Sequence, residues 1–267
     1  MSWLWAALTP HPPVIIPEVG RGRENEALAT VDGIERLSER VSKSRPDHLL
    51  VLSPHQPYAR GALCLNEAPR LEGSFTQFGA SVSIEMNSSP KLRLLAESLI
   101  TNGLAVSGVN SPDITGDHGA LVPLYFIRKD LRKHGLELPD VVIASPIGLG
   151  PEKSLSLGKA LASFDDQSSW ALLASGDLSH RLTHHAPAGY SREGKKFDES
   201  VVAALTSTDP QELLALSPQK RDEVGECGLC SVLVMLGLCR ALSATIEVIS
   251  YEGPFGVGYC NAISVLK

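Results

Sequence analysis

The chain has 267 residues, of which 20% are charged, and a formal net charge of −6; the length suits one large α/β domain better than two small ones. No basic block is dense enough to track a phosphate backbone, so nucleic acid is not an expected partner. Five cysteines, an odd number in a chain of this size, point to free thiols rather than a disulfide framework. In chain order, residues 4–8 read as a buried strand. The stretch 3–8 has no cationic flank, is too short to span a bilayer and runs into Pro10, Pro12 and Pro13. No membrane segment is therefore expected, and the protein is expected to be cytoplasmic. Ala27, Val31, Ile34, Leu37 and Val41 then recur at helical spacing, and Pro46 precedes a second apolar strand over 49–52, which together read as a βαβ unit.

Residues 58–89 are less periodic, although 82–86 alternate like a strand; they read as an excursion overhanging the site. Leu92, Leu95 and Leu99 line one face of a helix stopped by Gly103, and residues 121–131 form another that ends near His134 and Gly135. Two further apolar strands, 141–144 and 170–174, are separated by a helix near 152–162. A helical stretch follows at roughly 197–216, and a last helix runs from about Cys227 to Leu242. Strands over 245–250 and 258–265 flank the turn Glu252-Gly-Pro-Phe-Gly256. Strands alternating with helices predict an α/β fold, a single domain over 1–267 with a mostly parallel central sheet flanked by helices.

Three histidines lie just past ends of the predicted strands: His11, His55 and His180. In open α/β sheets, ligands bind beyond the carboxyl ends of the strands, so these histidines can converge there on a metal or acid–base site. In Thr9-Pro-His-Pro-Pro13 and Ser53-Pro-His55, proline stiffens the backbone that carries each imidazole, which suits a metal ligand. Glu226, in Gly225-Glu-Cys-Gly228, would open the last helix, where a carboxylate is also favoured by the helix dipole with no metal present. With His11 and His55 it would make a two-histidine, one-carboxylate face, the set found in non-haem Fe(II) oxygenases. One carboxylate against a divalent ion leaves positive charge for a chelating anion such as a deprotonated vicinal diol. His118, in Asp117-His118-Gly119, would sit near the positive end of a helix dipole and stay neutral, and His180, in Gly176-Asp-Leu-Ser-His180, is placed for a general base.

These pieces, with Val122-Pro-Leu124 and the closing Glu252-Gly-Pro-Phe-Gly256, resemble the class III extradiol ring-cleavage dioxygenases of the catalytic B-subunit type, whose superfamily includes the Memo-like proteins. The resemblance spans essentially the whole chain. It implies Fe(II) held by His11, His55 and Glu226, with His180 as the catalytic base and His118 as a second histidine acting as acid or substrate contact. It also implies a small aromatic diol and O2 as substrates, and a homo-oligomer. Two other readings stand beside it: a Memo-like metal-binding or partner-binding protein without ring cleavage, and a Zn-dependent hydrolase built on the same ligands. Retention of all three metal-ligand matches argues for the dioxygenase. Cys227 and Cys230, three apart on the predicted helix, read as packing residues, and His184 and His185 as exposed loop residues. His48 and His134 read as structural. Tyr125, Phe197 and Phe255 are candidate aromatic lining, and the 253–258 segment is read as a wall of the pocket.

Overall fold

The computed structural model describes residues 3–266. Its centre is an eight-stranded sheet in the order β6-β3-β7-β2-β8-β1-β10-β9. The strands are β1 (Trp3–Thr9), β2 (His48–Leu52), β3 (Leu63–Asn66), β6 (Val106–Val109), β7 (Asp140–Ser145), β8 (Trp170–Ser175), β9 (Glu247–Glu252) and β10 (Tyr259–Val265). β7, β2, β8 and β1 run parallel, whereas β3 is antiparallel to β7 and β10 to β1 and β9. A separate hairpin pairs β4 (Arg70–Ser74) with β5 (Ser83–Asn87).

The four central strands are buried on both faces, which explains their unbroken apolar sequences. Leu50, Leu52, Leu172 and Ala174 join one core, and Leu49, Val51, Ala171 and Leu173 the other. Each fully buried leucine contributes about 1.5–3 kcal/mol relative to exposure. The helices are α1 (Pro17–Gly20), α2 (Leu28–Ser44), α3 (Leu92–Thr101), α4 (His118–Lys133), α5 (Pro151–Ala162), α6 (Arg192–Ser207), α7 (Gln211–Leu214), α8 (Pro218–Val224) and α9 (Leu229–Ala241). The second core is closed by α2 and α4, which supply Ile34, Leu37, Leu121 and Phe126; the first by α3, α5, α6 and α9. None of the described helices is by itself long and apolar enough to cross a membrane.

The structure refines several expected boundaries. The predicted βαβ unit is split, because β8 lies between β1 and β2 and pairs in parallel with both. The expected helix over 197–216 begins at Arg192, ends where Thr208 turns left-handed (φ 54), and is followed by the short α7. The last helix begins at Leu229 rather than Cys227. The helix expected over 121–131 begins at His118, so that Pro123 lies inside it. The irregular 58–89 segment contributes β3 to the main sheet and the hairpin, whose connection carries Phe78 to His118, ring centroids 5.7 Å apart. All five cysteines are free.

Candidate functional site

Leu8 and Leu52 both register with Ala174, so β1, β2 and β8 end side by side and their following loops leave the sheet together. Those loops carry His11, His55 and His180. The fourth histidine, His118, is the first residue of α4. The side-chain ligand atoms of His11, His55 and His118 all lie within 4.8 Å of one another.

His11 is buried and held on two sides. Its backbone N–H donates to Asp177 Oδ1 at 2.9 Å, and its Nδ1 lies 2.8 Å from Ser175 Oγ. That leaves Nε2 facing the cluster, 3.1 Å from His55 Nε2, 3.8 Å from Asp177 Oδ2 and 3.6 Å from Cys227 Sγ. His55 lies on the exposed rim, its ring centroid 4.0 Å from that of His118. The loop of His55 is tied to α4 by Asp117, whose buried carboxylate accepts the Ser53 hydroxyl, the Gln56 amide and the Ala120 N–H that it caps. Asn66 in turn donates to Gln56 Oε1 at 3.2 Å.

Burial, and then the neighbouring imidazoles, hold His11 well below the ordinary histidine range. The same causes push His118 down to about 3, and partial desolvation lowers His55. All three are therefore neutral at pH 7 and keep a nitrogen lone pair, the state a metal ligand requires. The donor set thus fits a divalent transition ion. Asp177 is pushed up by burial, against the His11 N–H bond and the nearby histidines.

The 226–228 segment is brought close by a glycine contact: a Cβ on Gly176 would stand 2.3 Å from the Gly228 Cα, so only glycine allows this loop against the end of β8. Cys227 faces the histidines as a result. Its Sγ receives the Asp177 N–H at 3.3 Å, and burial pushes the thiol well above its ordinary value. Glu226 lies before α9 rather than in its first turn, and its Oε2 accepts the Leu229 N–H at 2.7 Å, capping that helix. Its carboxyl is pushed up by burial. Glu226 does not join the three-histidine cluster in the described arrangement.

His180 is fixed through its backbone, donating to the Gly225 carbonyl at 3.3 Å and accepting from Ala188 at 3.3 Å. Its Nδ1 is buried with no hydrogen-bond partner among the described residues. It lies within electrostatic reach of His11, His55 and Asp177. His184 and His185 are exposed. Tyr125 and Phe197 are buried in the cores, Tyr125 bonding Glu18, and Phe255 lies under Arg23. The aromatic that reaches the histidines is Phe78, which carried no sequence signal. Asp177 and Cys227 lie within the Gly176–His180 and Gly225–Gly228 motifs, and their closeness in sequence to His180 and Glu226 is the signal for them.

Residues 5–261 match the profile of the catalytic LigB subunit of aromatic ring-opening dioxygenase. The chain belongs to this family. The family is described by its aromatic ring-opening dioxygenase subunit, which places the chain in the extradiol-type dioxygenase superfamily. Protein CA_C1420 of Clostridium acetobutylicum is 31% identical over 261 residues, 94% of this chain and 55% of that protein, so the chain spans about half of this relative. A 3,4-dihydroxyphenylacetate 2,3-dioxygenase of Escherichia coli is 23% identical over 248 residues, covering 88% of this chain and 89% of the enzyme. The crystal structure of uncharacterized protein JW3007 from Escherichia coli K12 shares the fold, with a TM-score of 0.62 at 16% identity over 98% of this chain and 99% of that one.

Proposed function

We propose that the chain is a non-haem Fe(II)-dependent extradiol dioxygenase that opens the ring of a catechol-type diol with O2. His11, His55 and Glu226 would hold the metal, with His180 as base and His118 as its helper. The observation that carries this reading is the convergence of neutral imidazoles at the ends of adjacent parallel strands in a chain of the ring-opening family. Bound there, Fe(II) would supply coordination positions for diol and O2 and a route for electrons between them.

The protein's own groups supply binding and proton handling. Ser175 and Asp177 orient His11 so that Nε2 points inward. The unpartnered Nδ1 of His180 is the atom we assign to hold the proton taken from a diol hydroxyl. His118, kept neutral by burial, spends its single N–H on the Gly116 carbonyl, so its other nitrogen is assigned to accept a hydrogen bond from the substrate. Phe78 borders His118 and would exclude water from that side. The E. coli relative is named for an aromatic vicinal diol, which supports a catechol-type substrate here. A homo-oligomer and a cytoplasmic location belong to the same proposal.

The test is metal analysis of anaerobically purified protein followed by oxygen uptake with a panel of catechols. Iron with diol-dependent uptake is expected, lost in Glu226→Ala with the metal and in His180→Ala with the metal retained. Iron-loaded protein inert to every catechol would overturn the reading in favour of a Memo-like binding protein. One observation favours a second reading: three histidines with the Cys227 thiol 3.6 Å from His11 Nε2 are also a zinc donor set. Hydrolytic activity that needs zinc and no oxygen would identify it.

A further inference from the structure

Asp198, on α6, is a fully buried carboxylate with no ion-pair partner among the described residues. Its Oδ1 accepts the Ser179 N–H at 2.8 Å, and its Oδ2 accepts the Tyr251 hydroxyl at 2.8 Å. Gly258 closes over it: a Cβ there would stand 1.9 Å from Oδ2, so the carboxylate sits where only a glycine leaves room. Ser179 is the residue before His180. Its carbonyl accepts the Gly258 N–H at 2.9 Å, its hydroxyl donates to the Val224 carbonyl at 2.8 Å, and the preceding Leu178 N–H donates to the Gly258 carbonyl at 2.8 Å. The backbone that presents His180 is thus clamped between α6, the start of β10 and the end of α8, with Asp198 as the one titratable group bonded to it in the clamp.

We infer that Asp198 is a positioning residue for His180, its carboxylate anchoring the 178–180 backbone that carries the imidazole. The inference rests on the reading of His180 as the base. A hydrogen bond to an ionised carboxylate is about twice as strong as one to its neutral form. Ionised Asp198 accepts from both Ser179 and Tyr251; protonated on Oδ2, it accepts only the weaker neutral bond from Ser179 and must donate to the Tyr251 oxygen instead. Burial pushes Asp198 up to about 7, against the two hydrogen bonds. The other titratable groups facing it are Tyr251 on β9, Cys260 on β10 and Glu199 on its own helix, all of which are neutral or negative and none of which compensates its charge. The anchor of His180 therefore tightens as pH rises through neutrality.

The test is an NMR pH titration of the full chain without added metal, following the Ser179 amide and the His180 ring. In wild type the Ser179 amide is expected to move with a midpoint near neutrality. Asp198→Asn should abolish that movement and displace the His180 ring resonances, whereas His180→Gln should leave the Ser179 titration in place. Tyr251→Phe removes a donor that favours the carboxylate, so the midpoint should rise by about one unit. Because Tyr251 is partly exposed, this variant decides the matter even if Asp198→Asn does not fold. A Ser179 titration that persists in Asp198→Asn, an unmoved midpoint in Tyr251→Phe, or superimposable His180 resonances would overturn the inference. These arms need no turnover, so they are separate from the failure of the dioxygenase reading. Where a catechol is turned over, kcat should fall on the acid side with the same midpoint while KM stays level, and Asp198→Asn should lose that limb.

Discussion

The two walls of the histidine site differ in how completely their buried polar atoms are partnered. On one side His11 is held by Ser175 and Asp177, and Asn66, Gln56, Asp117 and Ser53 form a continuous chain behind His55 and His118. On the other side His180 Nδ1, Arg181 Nε and Arg221 Nε are buried with no hydrogen-bond partner among the described residues. An unsatisfied buried polar atom costs about 1–3 kcal/mol, so three on one wall need a reason. The partnered wall is set before any ligand arrives, as a metal site requires. Under the proposed function, a substrate reaching His180 would supply the bond its Nδ1 lacks.

The largest expected effect breaks the partnered wall at its rim. His55→Ala should abolish metal binding while changing stability by no more than about 0.5 kcal/mol, because His55 is exposed. Metal analysis and thermal unfolding of the same preparation check both halves. A variant that keeps stoichiometric metal would remove His55 from the ligand set.

The sequence made that wall more legible than the other. Unbroken apolar strands at 49–52 and 170–174 mark positions buried on both faces, and the histidines follow them at short distances. β6 carries no legible signal because Val106-Ser-Gly-Val109 is a short, half-exposed edge strand with no apolar run. On the second wall, the sequence predicts a last helix from Cys227, with Glu226 at its opening and Cys227 on a packing face. The helix begins two residues later, and the loop turns the thiol towards His11. What moved the boundary is the contact between Gly176 and Gly228, a pairing across the fold that local sequence does not announce. Asp198 was equally silent, an acidic residue in an amphipathic helix whose burial depends on Gly258.

An intermediate effect separates what Asp198 does for the second wall from what it costs the fold. Its carboxyl is raised from an ordinary 3.8 to about 7, so the folded chain binds this proton more tightly than the unfolded one. Its contribution to stability is therefore full below about pH 4 and is lost as pH rises through 7. Asparagine does not titrate, so the stability of Asp198→Asn relative to wild type should rise between pH 5 and 8, by at most about 3 kcal/mol. Denaturant midpoints at the two pH values measure the difference. A constant gap would show that the carboxylate is already ionised in the folded state throughout this range, as it is in the unfolded chain.

The smallest effect compares two buried serines at the ends of neighbouring-type strands, Ser175 closing β8 and Ser145 closing β7. Ser175 Oγ is bonded to His11 Nδ1 at 2.8 Å, whereas Ser145 Oγ has no partner among the described residues. If His11 is to offer the Nε2 lone pair to a metal, Nδ1 must carry the proton and donate it to Ser175. Ser175→Ala leaves that N–H buried and unpaired and frees the ring to rotate, so metal affinity should fall about 10–100-fold, with a stability loss of about 1–3 kcal/mol. Ser145→Ala removes an unsatisfied hydroxyl from an apolar site and should be neutral or slightly stabilising, with no change in metal affinity. Metal titration and unfolding of the pair distinguish a hydroxyl that orients a ligand from one that fills space. Equal effects in the two variants would mean that His11 is oriented by Asp177 and its backbone alone.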